Sequence, residues 1–171
     1  MSGTYEPAFL DALESLDIGF WEGSVWRQTI GDADPLRPNA LGARWNPPGE
    51  DALYCSLTSV GASLELASMI ARQPVEIRKA LQTYRLTVGL SRVADLRQPD
   101  ELELFGYSLD VLVADDWSAP QKVGGAAAWL GFAGILVPSA RHPDGNLVVY
   151  INHLAPNDVV DLVQREDEDG A

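Results

Sequence analysis

Apolar residues Phe9, Leu10, Leu13 and Leu16 recur at helical spacing, which predicts a helix over residues 5–16 with Gly19 placed to end it. Residues 24–30 read as a short strand. Residues 31–49 are rich in Gly, Pro, Asp and Asn and read as a long loop, a kind of segment that is often functional in a compact domain. Ala52–Ser56 reads as a short strand, and residues 58–72 as a helix that Thr58 or Ser59 can cap, with Leu64, Ala67, Met69 and Ile70 as apolar contacts. Strands are expected at 82–88 and 91–96 around Gly89, short helical pieces at 99–105 and 108–113, and an Ala-rich helix at 122–130. Residues 134–137 and 147–151 are apolar strand-like runs separated by a turn at Pro143-Asp144-Gly145-Asn146, and 159–163 reads as a last strand.

Strands and helices intermix without a regular βαβ repeat. The pattern therefore predicts an α+β single domain with a mixed or antiparallel β-sheet core and flanking helices, not a doubly wound fold. The expected boundaries are an N-terminal helical extension at 1–23, the domain at 24–164 and an acidic, disordered tail at 165–171.

Composition narrows the function classes. The 171 residues, 46% hydrophobic and 22% charged, are enough for one domain with a real core. A net charge of −13 argues against direct binding to nucleic acid or to an anionic membrane, because phosphate contacts need clustered cations. Four of those charges fall in Glu166-Asp167-Glu168-Asp169. A single cysteine, Cys55, excludes an internal disulfide, and with only His142 and His153 beside it no metal site is expected. No apolar run reaches about 18 residues, and Glu6, Asp11 and Glu14 occupy the N-terminal region where a secretory signal would carry basic residues. A soluble, reducing, cytoplasmic setting fits. Lys79 and Lys122 are the only lysines among 12 cations. Arginine suits bidentate recognition of phosphate, although a codon bias gives the same excess.

The densest chemistry lies in Gly42-Ala43-Arg44-Trp45-Asn46-Pro47-Pro48-Gly49, in Ala52-Leu53-Tyr54-Cys55-Ser56 and in Ser63-Leu64-Glu65-Leu66-Ala67. Trp is costly to expose and Arg is costly to bury unpaired, so Arg44-Trp45 is unusual for a passive loop. Glu65 falls mid-helix, either turned to solvent or held in a site. Ser139, in Val137-Pro138-Ser139-Ala140-Arg141, stands at the end of an apolar strand, where a plain turn serine is the alternative. It lacks the G-x-S-x-G setting of a hydrolase nucleophile, and the spacing of His142 and His153 does not support a serine-hydrolase base.

Taken in order, Arg44 in G-A-R-W-N, Glu65 in S-L-E-L-A and Ser139 in V-P-S-A-R resemble the Arg, Glu and Ser for which the RES domain family is named. Val25-Trp26-Arg27, the P-P-G turn, the strand with Tyr54, residues 117–121 and G-F-A-G-I-L-V-P-S-A-R are also similar to that family, so the resemblance spans about 25–151. It implies a bacterial toxin of a toxin–antitoxin pair, with an Xre-type helix-turn-helix antitoxin as partner and a fold similar to ADP-ribosyltransferase toxins. It also implies NAD+ as substrate, consumed by hydrolysis or phosphorolysis of the nicotinamide–ribose bond. Transfer of ADP-ribose to a protein is the alternative enzyme, and a catalytically silent nucleotide-binding or regulatory module is the alternative of another class. A homodimer and a larger toxin–antitoxin assembly both stay open.

Under that resemblance, Glu65 would stabilise an oxocarbenium-like ribose and bind its 2′-hydroxyl. Tyr54 would stack on the nicotinamide. Arg44, with Arg27, would hold the pyrophosphate. Ser139 would hydrogen-bond the nicotinamide amide or a phosphate. No metal is required.

Overall fold

The computed structural model of the chain describes residues 5–73, 80–98, 100, 103 and 105–166. Its elements run α1 (Pro7–Glu14), β1 (Ile18–Ile30), β2 (Ala52–Ser56), α2 (Ser59–Ala71), β3 (Leu81–Asp95), α3 (Leu109–Val113), α4 (Ser118–Trp129), β4 (Gly134–Val137), β5 (Asn146–Tyr150) and β6 (Val159–Glu166). One 3-10 turn, Ile151–His153, follows β5.

The pairings close on themselves. β3 runs antiparallel to β1 over most of its length, β1 meets β2 at Trp26 and Ser56, β2 pairs with β5, β5 with β4, and β4 returns to β3 in parallel. β6 adds to β3 along Thr83–Gly89, beside the segment that β4 takes. The result is the expected α+β domain with a mixed, largely antiparallel sheet.

Period-two alternation sorts the sheet's side chains into two cores. Leu53 and Cys55 of β2, Leu86, Val88 and Leu90 of β3, and Leu147 and Val149 of β5 fill one of them. Ala52, Ile135, Val137, Val148 and Tyr150 point the other way. There they meet α1 through Phe9 and Leu13, and α4 through Val123 and Ala126–Ala128. The Ala-rich face of α4 has a physical reason, since small side chains let the helix backbone approach closely. A Cβ on Gly124 would stand 1.9 Å from the carbonyl oxygen of Trp45.

Several expected boundaries shift. β1 begins at Ile18, so a division at residue 23 falls inside a strand, and Gly19 lies in that strand rather than ending a helix. β3 is one strand of 15 residues where two were expected around Gly89. Gly89 pairs with Glu22, and the ring of Phe20 lies 3.7 Å from where its Cβ would be, so a neighbouring aromatic supplies the packing that glycine lacks. α4 starts four residues before the expected 122. Arg165 and Glu166 belong to β6, not to a tail, and the Glu166 carboxylate accepts a hydrogen bond from Trp26 Nε1 at 3.2 Å. Asp167–Asp169, Lys79 and most of the helical piece expected at 99–105 lie outside the described residues. Among the described residues no helix is long and apolar enough to cross a membrane.

Candidate active site

Residues paired directly across a ladder point to the same face. Ser56 faces Asn146, and Tyr54 faces Val148. Tyr54, Ser56 and Asn146 therefore share the helix-covered face of the sheet. α2 starts directly after β2, with the Thr58 hydroxyl accepting the amide N–H of Gly61 at 3.0 Å. The same hydroxyl donates to Asp144 Oδ2 at 2.7 Å, tying the β4–β5 turn to the start of α2.

Glu65, about two turns into α2, faces that turn. Its Oε1 accepts the Ser139 hydroxyl at 2.5 Å and the Asn146 side-chain amide at 3.0 Å. Nε2 of His142, whose side chain is fully buried, lies 3.3 Å from the same oxygen. Among the described residues no side chain bonds Oε2, and the Glu65 side chain is 37% exposed. The Ser139 hydroxyl oxygen also accepts the N–H of Arg141 at 3.0 Å, which fixes its rotamer. The structure thus brings Glu65 and Ser139, two residues of the ordered set of motifs, into one hydrogen-bonded group. The sequence motifs do not point to Asn146 or His142 for this cluster. The only signal for Asn146 in the sequence is its place where the turn enters an apolar strand.

Arg44 reaches the site from the long loop. Its Nη1 donates to the carbonyls of Leu112, at 3.1 Å, and of Ala114, at the C-terminal end of α3. The guanidinium lies over the half-exposed ring of Trp117, 5.9 Å from its centroid. Burial lowers its pKa, and the charges of Glu65 and Asp115 oppose that shift while Arg72 adds to it. The charge of Glu65 is therefore felt at Arg44.

Next to Arg44 the chain turns inward. Trp45 is 2% exposed and Asn46 fully buried. The Tyr54 hydroxyl accepts the N–H of Trp45 at 2.9 Å and donates to Asn46 Oδ1 at 2.5 Å. The Tyr150 hydroxyl donates to the Trp45 carbonyl at 2.9 Å. Asn46 Nδ2 donates to the carbonyls of Asn39 and Glu50, and Gln121 Nε2 to those of Ala43 and Asn46. Burial raises the pKa of Tyr54 far above its usual range, so its hydroxyl stays protonated and serves the loop. Only the ring of Tyr54 remains for a ligand.

Arg27 does not join this group. Trp26 pairs with Ser56, so Arg27, one residue on, falls on the opposite face beside Cys55. There its Nη1 donates to the Tyr54 carbonyl at 3.0 Å, and burial lowers its pKa. Burial also pushes the Cys55 thiol up to about 12, so it is no nucleophile at neutral pH. The strand register thus puts Arg27 on the Cys55 face, opposite to that of Tyr54.

The RES domain model matches residues 24–169. NAD(+) phosphorylase MbcT of Mycobacterium tuberculosis is 30% identical over 150 residues, covering 82% of this chain and 80% of that protein, and the protein of the same name from Mycobacterium bovis matches equally. The crystal structure of the M. tuberculosis MbcT–MbcA toxin–antitoxin complex superposes with a TM-score of 0.82 at 25% identity, covering 95% of this chain and 92% of that one.

Proposed function

The chain belongs to the RES domain family, and from that premise we propose that it is a toxin that depletes NAD+ by phosphorolysis of the nicotinamide–ribose bond. The observation that carries this reading is the Glu65 carboxylate, whose Oε1 accepts Ser139 and Asn146 while, among the described residues, no side chain bonds Oε2, and whose charge acts on Arg44. The name of the mycobacterial relatives supports phosphate as the acceptor.

The chemistry follows from the charges. The C1′–N bond of NAD+ breaks with its electron pair going to the pyridinium nitrogen, so nicotinamide leaves neutral and positive charge develops on the ribose. A fixed carboxylate beside C1′ stabilises that charge more in the transition state than in the ground state, which is the condition for acceleration. Oε2 of Glu65 is the oxygen available to the ribose and its 2′-hydroxyl. A phosphate oxygen then forms the new bond to C1′. Arg44 uses Nη1 on the α3 carbonyls and keeps the rest of its fork for the pyrophosphate. The Tyr54 ring offers a stacking surface for nicotinamide. Ser139 acts on the carboxylate rather than as a nucleophile. Restraint by an antitoxin, of Xre helix-turn-helix type, and a cytoplasmic setting complete the reading.

The test is incubation of purified, antitoxin-free protein with NAD+, with and without inorganic phosphate, beside Glu65→Ala. Loss of NAD+ that accelerates with phosphate, with ADP-ribose phosphate as product and an inert variant, is the expected result. Untouched NAD+ overturns the reading. Free ADP-ribose at equal rate in both buffers replaces phosphate with water as the acceptor, and a labelled protein band replaces it with a protein side chain.

A further inference from the structure

His142 is the imidazole beside Glu65, and the proposed reaction leaves it without a task. Its side chain is fully buried, and neither ring nitrogen has a hydrogen-bond partner of good geometry. Buried polar nitrogens without partners are rare because each has given up its water. The structure makes specific room for this one. Gly61 lies one turn before Glu65 on α2, and a Cβ there would meet His142 Cε1 at 2.6 Å and Nδ1 at 2.9 Å. The slot that glycine opens puts Nε2 at 3.3 Å from Glu65 Oε1, the oxygen that Ser139 and Asn146 already address.

We propose that His142 is a positioning residue for Glu65: its Nε2–H, 3.3 Å from Oε1 and outside hydrogen-bond geometry in this structure, serves as a third donor to that oxygen when substrate is bound, and the three together turn Oε2 toward the substrate. This rests on the role given to Glu65 in the proposed reaction. The arrangement has a mechanical logic. A mid-helix glutamate has three side-chain torsions to fix, and Ser139 and Asn146 both approach from the β4–β5 turn. His142 belongs to the same turn but is wedged against the helix itself, so it couples the turn's position to the carboxylate's orientation. Asp144, bonded to Thr58, clamps that turn at its far side.

Two variants and one spectrum test it. His142→Phe keeps the ring volume and removes the donor. With NAD+ and phosphate, kcat is expected to fall about 10-fold or more while KM moves by less than about 3-fold, because an oriented carboxylate is felt in the transition state. His142→Gln, which restores an N–H near the Nε2 position, recovers most of that loss. A folded His142→Phe with wild-type kcat overturns the proposal, as does a His142→Gln variant impaired as deeply as His142→Phe, since a purely structural role has no use for the donor. The spectrum needs no substrate. In 15N-histidine-labelled full-length protein, the His142 Nε2 proton resonance, distinguished from that of His153 by a His153→Gln sample, moves upfield in Glu65→Gln. An unmoved resonance overturns the pairing. Should the wild type leave NAD+ untouched, the proposed function falls alone, and the spectrum still decides for or against His142.

Discussion

The loop at 39–50 and the turn at 138–146 each bring a polar side chain toward Glu65, and they are anchored in different ways. In the loop, the anchors are buried bonds next to the functional residue: Tyr54 and Tyr150 hold Trp45 and Asn46, and Gln121 holds the backbone on both sides. Arg44 itself takes no part in those bonds. In the turn, Asp144 ties the far side to Thr58, but the bonds nearest the site are made by Ser139 and Asn146, and what they bond is Glu65 itself. A loop held beside its functional residue should report damage as lost stability. A turn held through its functional residues should report damage as lost activity at nearly full stability.

The hardest test of the first half is Gly124→Ala. The new methyl carbon would stand 1.9 Å from the Trp45 carbonyl oxygen and 2.8 Å from the Tyr150 hydroxyl, so helix and loop cannot both stay in place. Overpacking against backbone costs about 3 kcal/mol or more, which for a chain this long lowers Tm by roughly 6–12 °C. NAD+ turnover should fall with it. A melting curve within about 2 °C of wild type would show that the loop is not braced against α4.

Asn46→Ala is the next largest. It leaves the carbonyl of Glu50 and the hydroxyl proton of Tyr54 without the partner that the fully buried Asn46 supplies, while the Asn39 carbonyl keeps the N–H of Ala52. Unpaired buried groups cost about 1–3 kcal/mol each, and partial relaxation leaves roughly 3 kcal/mol overall in urea unfolding. If turnover were lost while the unfolding midpoint held, the loop would belong with the turn and the contrast would fail.

Much of this division was readable in the chain, and the remainder depends on register. Arg44-Trp45 stood out because neither residue suits an ordinary loop, and Glu65 and Ser139 stood out by their ordered motifs. Arg27 reads as equally suitable, and it lies on the face opposite to that of Tyr54 because Trp26 is the residue that meets Ser56. A shift of one residue reverses every side chain of a strand, and nothing local in Val25-Trp26-Arg27 fixes that register. The buried duties of Asn46 and Tyr54 are long-range hydrogen bonds, invisible to periodicity. Gly19 and Gly89 read as breaks because glycine is a poor strand former alone, yet long pairing and a covering Phe20 keep β1 and β3 intact.

Ser139→Ala probes the turn. The substitution removes the hydroxyl that Glu65 accepts at 2.5 Å from a half-buried position, and Asn146 still satisfies the carboxylate. Stability should change by less than about 1 kcal/mol, while kcat falls about 10- to 100-fold through a loosened Glu65. Equal losses in Tm and kcat would erase the distinction between the two regions.

The smallest expected effect lies behind the turn. Arg97 packs where a side chain on Gly145 would be, its Cδ 3.0 Å from that Cβ position, and it holds Asp95 through Nε at 2.9 Å and Nη2 at 2.7 Å. Burial alone would raise the Asp95 pKa, but these bonds outweigh it and the net shift is downward. A carboxylate depressed in the folded state contributes stability above its unfolded value of about 3.9 and loses it as pH falls through the folded value. Asp95→Asn should therefore cost less than about 1 kcal/mol at pH 7, given that both side chains are about one-third exposed. The difference between variant and wild type should shrink toward zero in urea unfolding at a pH well below that window. Turnover at pH 7 should stay within about 2-fold, because Asp95 supports the back of the turn and makes no bond to Ser139, Asn146 or Glu65. A gap that persists at low pH would remove the charge from the explanation. A turnover loss larger than the stability loss would mean that the turn's placement, and not only its bonds to Glu65, sets the activity.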